Sequence, residues 1–185
     1  MIYLIRHGED DKNYIGGWSN ISLTDKGKKK IEKNSYWVKD NLKIKKIISS
    51  DIKRAEETAK IISSILNIDY KLSSFLREQN KGLLNGKLKE NLTEKEKKLI
   101  NYQTIDTLFP NGERLTDLYK RIKNNMEYFK NIEDNTLIVT HRGVINMFYY
   151  IFNDIPLDMD KKRFNVKFGS IHEINFNNRT IKRIK

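Results

Sequence analysis

The chain has 185 residues, of which 38% are hydrophobic and 32% are charged, with no cysteine and a formal net charge of +12. A chain of this length can bury a sizeable core, so we expect one domain over residues 1–185, and the lack of cysteine excludes disulfides, thiolate chemistry and cysteine-based metal sites. No apolar run approaches the roughly 20 residues of a membrane-spanning helix, and residues 2–5 are too short for a signal-peptide core, so we expect a cytoplasmic protein.

Apolar runs and helical spacing alternate along the chain and predict a mixed fold. The predicted strands cover residues 2–5, 46–49, 68–72, 136–140 and 170–176. The predicted helices cover about residues 24–42, 51–66, 93–102, 113–132 and 144–152. Thr24 or Asp25 is expected to cap the first helix, and Asp51 the second. Strands that alternate with helices predict an α/β fold, here a three-layer α/β/α sandwich with a mostly parallel central sheet.

Polar residues with an affinity for anions follow three of the predicted strands. The first strand runs into Arg6 and His7, and the strand over residues 136–140 runs into His141. The second strand is followed by Arg54 in the first turn of the next helix. Ligands of open α/β sheets bind beyond the carboxyl ends of the strands. We therefore expect these two arginines and two histidines to lie close together.

Two arginines and two histidines in one pocket suit the transfer of a phosphoryl group. Planar guanidinium groups hold phosphoryl oxygens in a bidentate way. A neutral imidazole is a competent nucleophile, and a second imidazole, if protonated, would stabilise the charge of the transition state. Each residue alone is more often structural, and His172 in the last predicted strand is interpreted in that way. The prediction of a phosphoryl site depends on all three predicted strands being followed by residues of this kind.

Motifs along nearly the whole chain resemble those of the histidine phosphatase superfamily, in its phosphoglycerate mutase-like branch (branch 1). The stretch LIRHGED resembles the Arg-His-Gly-Glu-Thr signature, and SSDIKRAEETA is close to the Ser-Ser-x-x-x-Arg-Ala-x-x-Thr-Ala motif. LREQNKGLLNG is similar to a Leu-x-Glu segment of the family, and VTHRGVI resembles its His-Gly-Gly-x-Ile motif. The resemblance implies a phosphoglycerate mutase-like fold.

The resemblance also implies roles for individual residues. His7 would be the phosphorylated nucleophile, and Glu78 would be the general acid and then the general base. The implied ligands of the phosphoryl group are Arg6, Arg54 and His141, with Asn13 as a helper. Because arginine and histidine supply the positive charge, neither a metal nor another cofactor is expected.

Several positions depart from the family pattern. Asp10 replaces the usual threonine, Asn85 replaces a glutamate, and Arg142 replaces the glycine after His141. Arg114 replaces a serine. Arg114 and Arg142 are expected near the entrance of the pocket, with Arg142 counted among the substrate-binding residues, and both favour a substrate with a second negative group.

The residues and the resemblance together predict a metal-independent phosphatase that hydrolyses phosphomonoesters of small metabolites through a phosphohistidine on His7. The alternative is a phosphoglycerate mutase-type phosphotransferase. The resemblance disfavours it, because the metabolic mutases of the family have a longer segment between the glutamate and the second histidine than residues 78–141 provide. A nucleic-acid-binding protein would use the net charge of +12, but the basic residues are spread over several helices rather than one stripe. We expect a small-molecule partner, and neither nucleic acid nor a membrane. The identity of the phosphomonoester and the oligomeric state stay open.

Overall fold

The computed structural model describes residues 1–185 as one six-stranded sheet with helices on both of its faces. The strands are β1 (Ile2–Arg6), β2 (Lys46–Ser50), β3 (Tyr70–Ser73), β4 (Thr136–Thr140), β5 (Ile171–Asn175) and β6 (Thr180–Arg183). The helices are α1 (Asp25–Asn41), α2 (Lys53–Leu66), α3 (Glu94–Asn101), α4 (Leu115–Asn124), α5 (Met126–Asn131) and α6 (Arg142–Phe152). Length and apolarity together allow none of these helices to span a bilayer.

The strands lie in the order β3-β2-β4-β1-β5-β6. β1, β2, β3 and β4 pair in parallel, whereas β5 runs antiparallel to both of its neighbours, β1 and β6. The carboxyl ends of β2, β4 and β1 therefore meet at one edge of the sheet. The predicted α/β fold with a mostly parallel sheet is confirmed.

Alternate residues of the central strands supply two separate cores. Leu4 of β1 and Ile138 of β4 pack on the face that α4, α5 and α6 cover. Ile5 and Val139, one position further along, pack on the face that α1 and α2 cover. Because successive side chains of a strand point to opposite faces, both faces of these strands are apolar and both are buried. The resulting arrangement is the predicted three-layer sandwich.

The first two helices begin in different ways. Thr24 caps α1, because its Oγ1 accepts a hydrogen bond from the backbone N–H of Gly27 (3.0 Å). The prediction that Asp51 caps α2 is wrong, since Ile52 occupies the cap position without a side-chain hydrogen bond. The Asp51 carboxylate instead accepts a hydrogen bond from Nε of Arg77 (2.7 Å) and forms an ion pair with that guanidinium. The ion pair ties the end of β2 to the segment that carries Glu78.

Two further features differ from the predicted elements. The helix predicted over residues 113–132 is divided into α4 and α5 at Asn125. The Asn125 side chain donates to the carbonyl of Arg121 (2.7 Å), which competes with the backbone hydrogen bond of an unbroken helix. β6 was not predicted, because its sequence TIKR is largely exposed and has no clear alternation of apolar and polar residues.

Candidate active site

The candidate active site lies where β1 and β4 end side by side. Arg6 is paired with Thr140 in the parallel register, so the next residues of the two strands, His7 and His141, are neighbours. Their ring centroids are 5.0 Å apart. The backbone N–H of His7 donates to the carbonyl of Thr140 (2.9 Å), which fixes the chain at this point. A cavity of about 530 Å³ opens above His7.

The hydrogen bonds of His7 determine which of its ring nitrogens is free to react. Nδ1 lies 2.7 Å from the carbonyl oxygen of Gly8, which only accepts, so Nδ1 carries the proton. Nε2 is then unprotonated and accepts a hydrogen bond from Nε of Arg54 (3.2 Å). Burial, followed by the charge of Arg54 and the proximity of His141, lowers the pKa of His7 well below its usual value. His7 is therefore a neutral imidazole with an unprotonated Nε2, whose lone pair can attack once Arg54 turns its Nε–H toward a bound phosphoryl group.

Arg54 is held in the site by hydrogen bonds from the rest of its guanidinium group. Nη2 donates to the carbonyl of Gly17 (2.8 Å), and Nη1 donates to the hydroxyl of Ser19 (3.0 Å). Nε also lies 3.4 Å from a carboxylate oxygen of Asp10. The side chain is 2% exposed, and this burial lowers the pKa of Arg54. A guanidinium fixed on several sides is preorganised for a phosphoryl group.

His141 faces His7 from the end of β4 and is fully buried. Its Nε2 shares a hydrogen bond with the hydroxyl of Ser50 (2.8 Å), whereas its Nδ1 has no partner in the protein. Burial, followed by the charges of Arg54 and Arg6, lowers the pKa of His141 well below its usual value. The second imidazole is thus neutral in the free protein, and the protonated form that would stabilise the charge of the transition state is disfavoured before substrate binds.

Arg6 lies on the other side of the nucleophile. Its Nη1 donates to the carbonyl of Val166 (2.9 Å), and its guanidinium carbon is 3.7 Å from the ring centroid of Phe168. Its Nε is buried and has no partner. Burial, followed by the charge of Arg142, lowers the pKa of Arg6 to about 9. The stacked ring fixes the guanidinium while its buried Nε–H stays free for a ligand.

Glu78 is fixed at the wall of the cavity by backbone groups. Its Oε1 accepts from the N–H of Gln79 (2.9 Å), and its Oε2 accepts from the N–H of Gly143 (3.0 Å). A Cβ placed on Gly143 would lie only 2.0 Å from Oε1 of Glu78. Only glycine at position 143 allows the helix to approach the carboxylate so closely.

Arg121 of α4 supports the segment that ends at Glu78. Its Nη1 donates to the carbonyls of Phe75 (2.6 Å) and Arg77 (2.9 Å). Its Nη2 forms an ion pair with Glu113 (2.8 Å), whose carboxylate also accepts from the N–H of Asn80 (2.9 Å). The Arg121–Glu113 pair therefore fixes the backbone on both sides of Glu78.

The structure brings together most of the residues that the sequence singled out. The cavity is lined by Arg6, His7, Arg54, Glu78 and Arg142. His141 is not in the lining, but its ring centroid is 5.0 Å from that of His7.

Two of the predicted residues lie elsewhere. Asn13 has an exposed side chain and lies outside the lining of the cavity. Arg114 also lies outside the lining, where it pairs with Asp117 (3.6 Å) at the start of α4.

Other lining residues were not assigned a role from the sequence. Asp10 was noted only as a departure from the family pattern, although its position two residues after the nucleophile's glycine pointed to the pocket. Burial raises the pKa of its carboxyl group. Lys81 and Lys161 also line the cavity, and they lie in segments without regular periodicity that gave no signal.

The chain belongs to the histidine phosphatase superfamily (branch 1), which it matches over residues 2–184. It is 35% identical over 150 residues to an Escherichia coli protein named "Probable phosphoglycerate mutase GpmB", with 76% of this chain and 69% of that protein covered.

Two solved structures share the fold. One is a putative alpha-ribazole-5'-P phosphatase from Escherichia coli, with a TM-score of 0.82, 20% identity, and coverage of 98% of this chain and 93% of that one. The other is YhfR from Bacillus stearothermophilus, with a TM-score of 0.78, 26% identity, and coverage of 99% and 94%.

Proposed function

We propose that the protein is a metal-independent phosphatase that hydrolyses phosphomonoesters of small metabolites through a phosphohistidine on His7. The observation that carries the proposal is the neutral His7 ring, whose unprotonated Nε2 lies 3.2 Å from Nε of Arg54. A nucleophile beside a fixed cation is the arrangement that attack on an anionic phosphoryl group requires. The cavity of about 530 Å³ has the size of a small-molecule site.

In the first step the phosphoryl group moves from the substrate to the enzyme. The Nε2 lone pair of His7 attacks phosphorus, the bond from phosphorus to the ester oxygen breaks, and protonated Glu78 gives its proton to the departing alkoxide. Nδ1 of His7 keeps its proton and donates a hydrogen bond to the Gly8 carbonyl, which stabilises the charged ring. The free Nε of Arg6 and the free Nδ1 of His141 would bind the phosphoryl oxygens.

In the second step water releases the phosphoryl group. Glu78, now a carboxylate, takes a proton from the water as its oxygen attacks phosphorus. The bond from phosphorus to Nε2 breaks, which returns His7 to its neutral form and gives inorganic phosphate. Glu78 is again protonated and ready for the next cycle. Arginine and histidine supply the positive charge in both steps, so added metal ions are not required.

A phosphoglycerate mutase-type phosphotransferase is the second candidate, and one observation favours it. The Escherichia coli relative with 35% identity carries the name of a probable phosphoglycerate mutase. The first step would be the same for both enzymes, because they differ only in whether water or a second substrate oxygen takes the phosphoryl group from His7. The rate of isomerisation of 3-phosphoglycerate, compared with its rate of hydrolysis, distinguishes the two.

The test is the hydrolysis of p-nitrophenyl phosphate and a panel of phosphorylated metabolites with EDTA present, by the wild type and His7→Ala. We expect turnover that EDTA does not reduce and that falls by more than about 1000-fold in the variant, because the nucleophile is gone. A rapid quench with labelled substrate should trap an acid-labile, base-stable phosphoenzyme only in the wild type. Equal activity of the two proteins would overturn the proposal, and so would loss of wild-type activity in EDTA.

A further inference from the structure

Phe168 is an aromatic ring that lines the cavity without belonging to the hydrophobic core. It is half-buried, and it packs into none of the three apolar clusters, which are the two cores and a small cluster around Leu84. The guanidinium carbon of Arg6 lies 3.7 Å from its ring centroid, and the ring of His7 meets it edge-on with 5.6 Å between the centroids. Nζ of Lys12 lies further out, at 5.7 Å. Core packing therefore does not account for the position of this ring.

The backbone of residues 166–170, here termed the clamp segment, also holds the end of β1. The carbonyl of Val166 accepts a hydrogen bond from Nη1 of Arg6 (2.9 Å). The backbone N–H of Gly169 donates to the carbonyl of Arg6 (3.0 Å), and the carbonyl of Ser170 accepts from the backbone N–H of Arg6 (3.1 Å). The clamp segment therefore binds both the backbone and the guanidinium group of this arginine.

Buried polar side chains hold the clamp segment from the rear. Nδ2 of Asn34, on α1, donates to the carbonyl of Gly169 (2.7 Å). The hydroxyl of Ser170 shares a hydrogen bond with Nε2 of His172 (2.8 Å), and Nδ1 of His172 shares another with the hydroxyl of Tyr149 (2.8 Å). Each of these polar groups is buried, and each is satisfied by a hydrogen bond that it would lose if the segment moved. The aromatic ring is thus carried on a fixed backbone.

The ring solves a problem that is specific to Arg6, because this arginine forms no ion pair. A carboxylate beside a guanidinium orients it but also neutralises its charge, as Asp10 does for Arg54 at 3.4 Å. An aromatic face attracts a cation and leaves its charge available to an anion. Phe168 can therefore orient the guanidinium without competing with a phosphoryl group.

We propose that Phe168 is a positioning residue, which fixes the Arg6 guanidinium for the transfer of the phosphoryl group to His7. This inference rests on the proposed function, because it assumes that His7 takes the phosphoryl group. Without the ring, Arg6 keeps its charge in the cavity but can adopt other rotamers. The attraction of a charge for a bound anion depends little on orientation, whereas a hydrogen bond to the transition state depends on it steeply. Loss of the ring should therefore lower kcat more than it weakens anion binding.

The first test measures two quantities in Phe168→Leu, which are kcat for p-nitrophenyl phosphate and the inhibition constant of inorganic phosphate. We expect kcat to fall about 10-fold, as the loss of a partly desolvated cation–π contact predicts. The inhibition constant should stay within about three-fold of the wild-type value, because the charge remains. Phe164→Leu is the matched control, since the Phe164 ring stacks on Tyr149 (4.8 Å between centroids), and it should keep the wild-type kcat. Phe168→Met, which nearly preserves the volume, decides the matter if Phe168→Leu does not fold.

The second test is a double-mutant cycle with Arg6→Gln, which removes the group that Phe168 is proposed to orient. In this background Phe168→Leu should lower kcat by less than about three-fold, because no guanidinium is left to misplace. A purely structural role for the ring would give the same loss of kcat in both backgrounds, and that result would refute the proposal. An unchanged kcat in Phe168→Leu, or a rise of the inhibition constant alone, would also refute it.

The third test does not depend on catalysis and separates the two proposals. Nε–H of Arg6 is buried, so its exchange with solvent, followed by NMR, reports how firmly the guanidinium is held. We expect exchange at least about 10-fold faster in Phe168→Leu and unchanged in Phe164→Leu. Equal exchange rates in the wild type and Phe168→Leu would refute the role of Phe168. A wild type that is inert toward p-nitrophenyl phosphate, with exchange that changes as expected, would refute the proposed function and support the fixing of Arg6 by Phe168.

Discussion

Gly143→Ala should separate the position of Glu78 from its chemistry. The new methyl group would lie 2.0 Å from Oε1 of Glu78, against an ordinary contact of 3.4 Å. The carboxylate must retreat by about 1.4 Å, and a displacement of about 1 Å in a catalytic group costs on the order of 100-fold in rate. We expect kcat/KM for an alkyl phosphate to fall by about 100-fold, which corresponds to about 2.7 kcal/mol. The free energy of unfolding should also fall, because the displaced carboxylate loses its hydrogen bond from the N–H of Gly143 and the methyl group would lie 3.2 Å from Cδ2 of buried Leu118.

The assay uses two substrates and a double-mutant cycle. The p-nitrophenolate leaving group departs without a proton, so kcat/KM for p-nitrophenyl phosphate should fall much less than for the alkyl phosphate. Glu78→Gln alone and combined with Gly143→Ala should have nearly the same activity, because both act through one carboxylate. If Gly143→Ala keeps alkyl phosphate activity within about three-fold of the wild type, or if the two substitutions are additive, the role argued for Glu78 is refuted.

Three other predictions concern the surroundings of the nucleophile. Asp10→Asn removes a carboxylate that lies 3.4 Å from Nε of Arg54 and would repel a bound anion. Inorganic phosphate should therefore inhibit the variant several-fold more tightly than the wild type. Weaker inhibition would mean that Asp10 mainly orients Arg54. Arg121→Lys loses the paired hydrogen bonds that fix the backbone just before Glu78. We expect kcat to fall about 10-fold with KM nearly unchanged. A change in KM alone would contradict a positioning role for Arg121. Burial lowers the pKa of His172 from 6.5 to about 4. As the pH falls, the unfolded state therefore binds a proton at His172 before the folded state does, so the free energy of unfolding should decrease between about pH 6.5 and pH 4. Urea denaturation of His172→Phe should show a pH dependence shallower by up to about 1.4 kcal/mol per pH unit in that range, and a slope equal to that of the wild type would disprove the assignment.

The centre of the site was accessible from the sequence because parallel strands place their carboxyl ends together. His7 and His141 are far apart along the chain, yet each directly follows a short apolar run, and the two runs pair in register. Arg54 follows the next strand by four positions, in the first turn of α2. The apolar pattern of the strands, together with the rule that ligands bind beyond the carboxyl ends of parallel strands, was sufficient to predict that these residues lie together.

The residues that form the walls of the cavity could not be predicted from the sequence in the same way. Lys81 lies in a segment of short turns, where contacts with Gln79, Gln103 and Phe109 decide its position rather than any repeating pattern. Asn13 shows the converse, since a motif position suggested a role and the local turn exposes the side chain. Its backbone N–H donates to Asp11 (2.9 Å), a short-range contact that spacing alone does not predict.

The position of β1 in the middle of the sheet has a consequence for how the protein is made. This strand is synthesised before both of its partners, β4, which begins at Thr136, and β5, which begins at Ile171. Until β4 has been synthesised, the apolar stretch IYLI therefore has both edges unpaired, a state that favours self-association and slow, long-range folding. His7 is synthesised well before His141, so it acquires this neighbour only after more than a hundred further residues have been added. A truncated product would consequently carry the reactive histidine without the pocket that makes it useful.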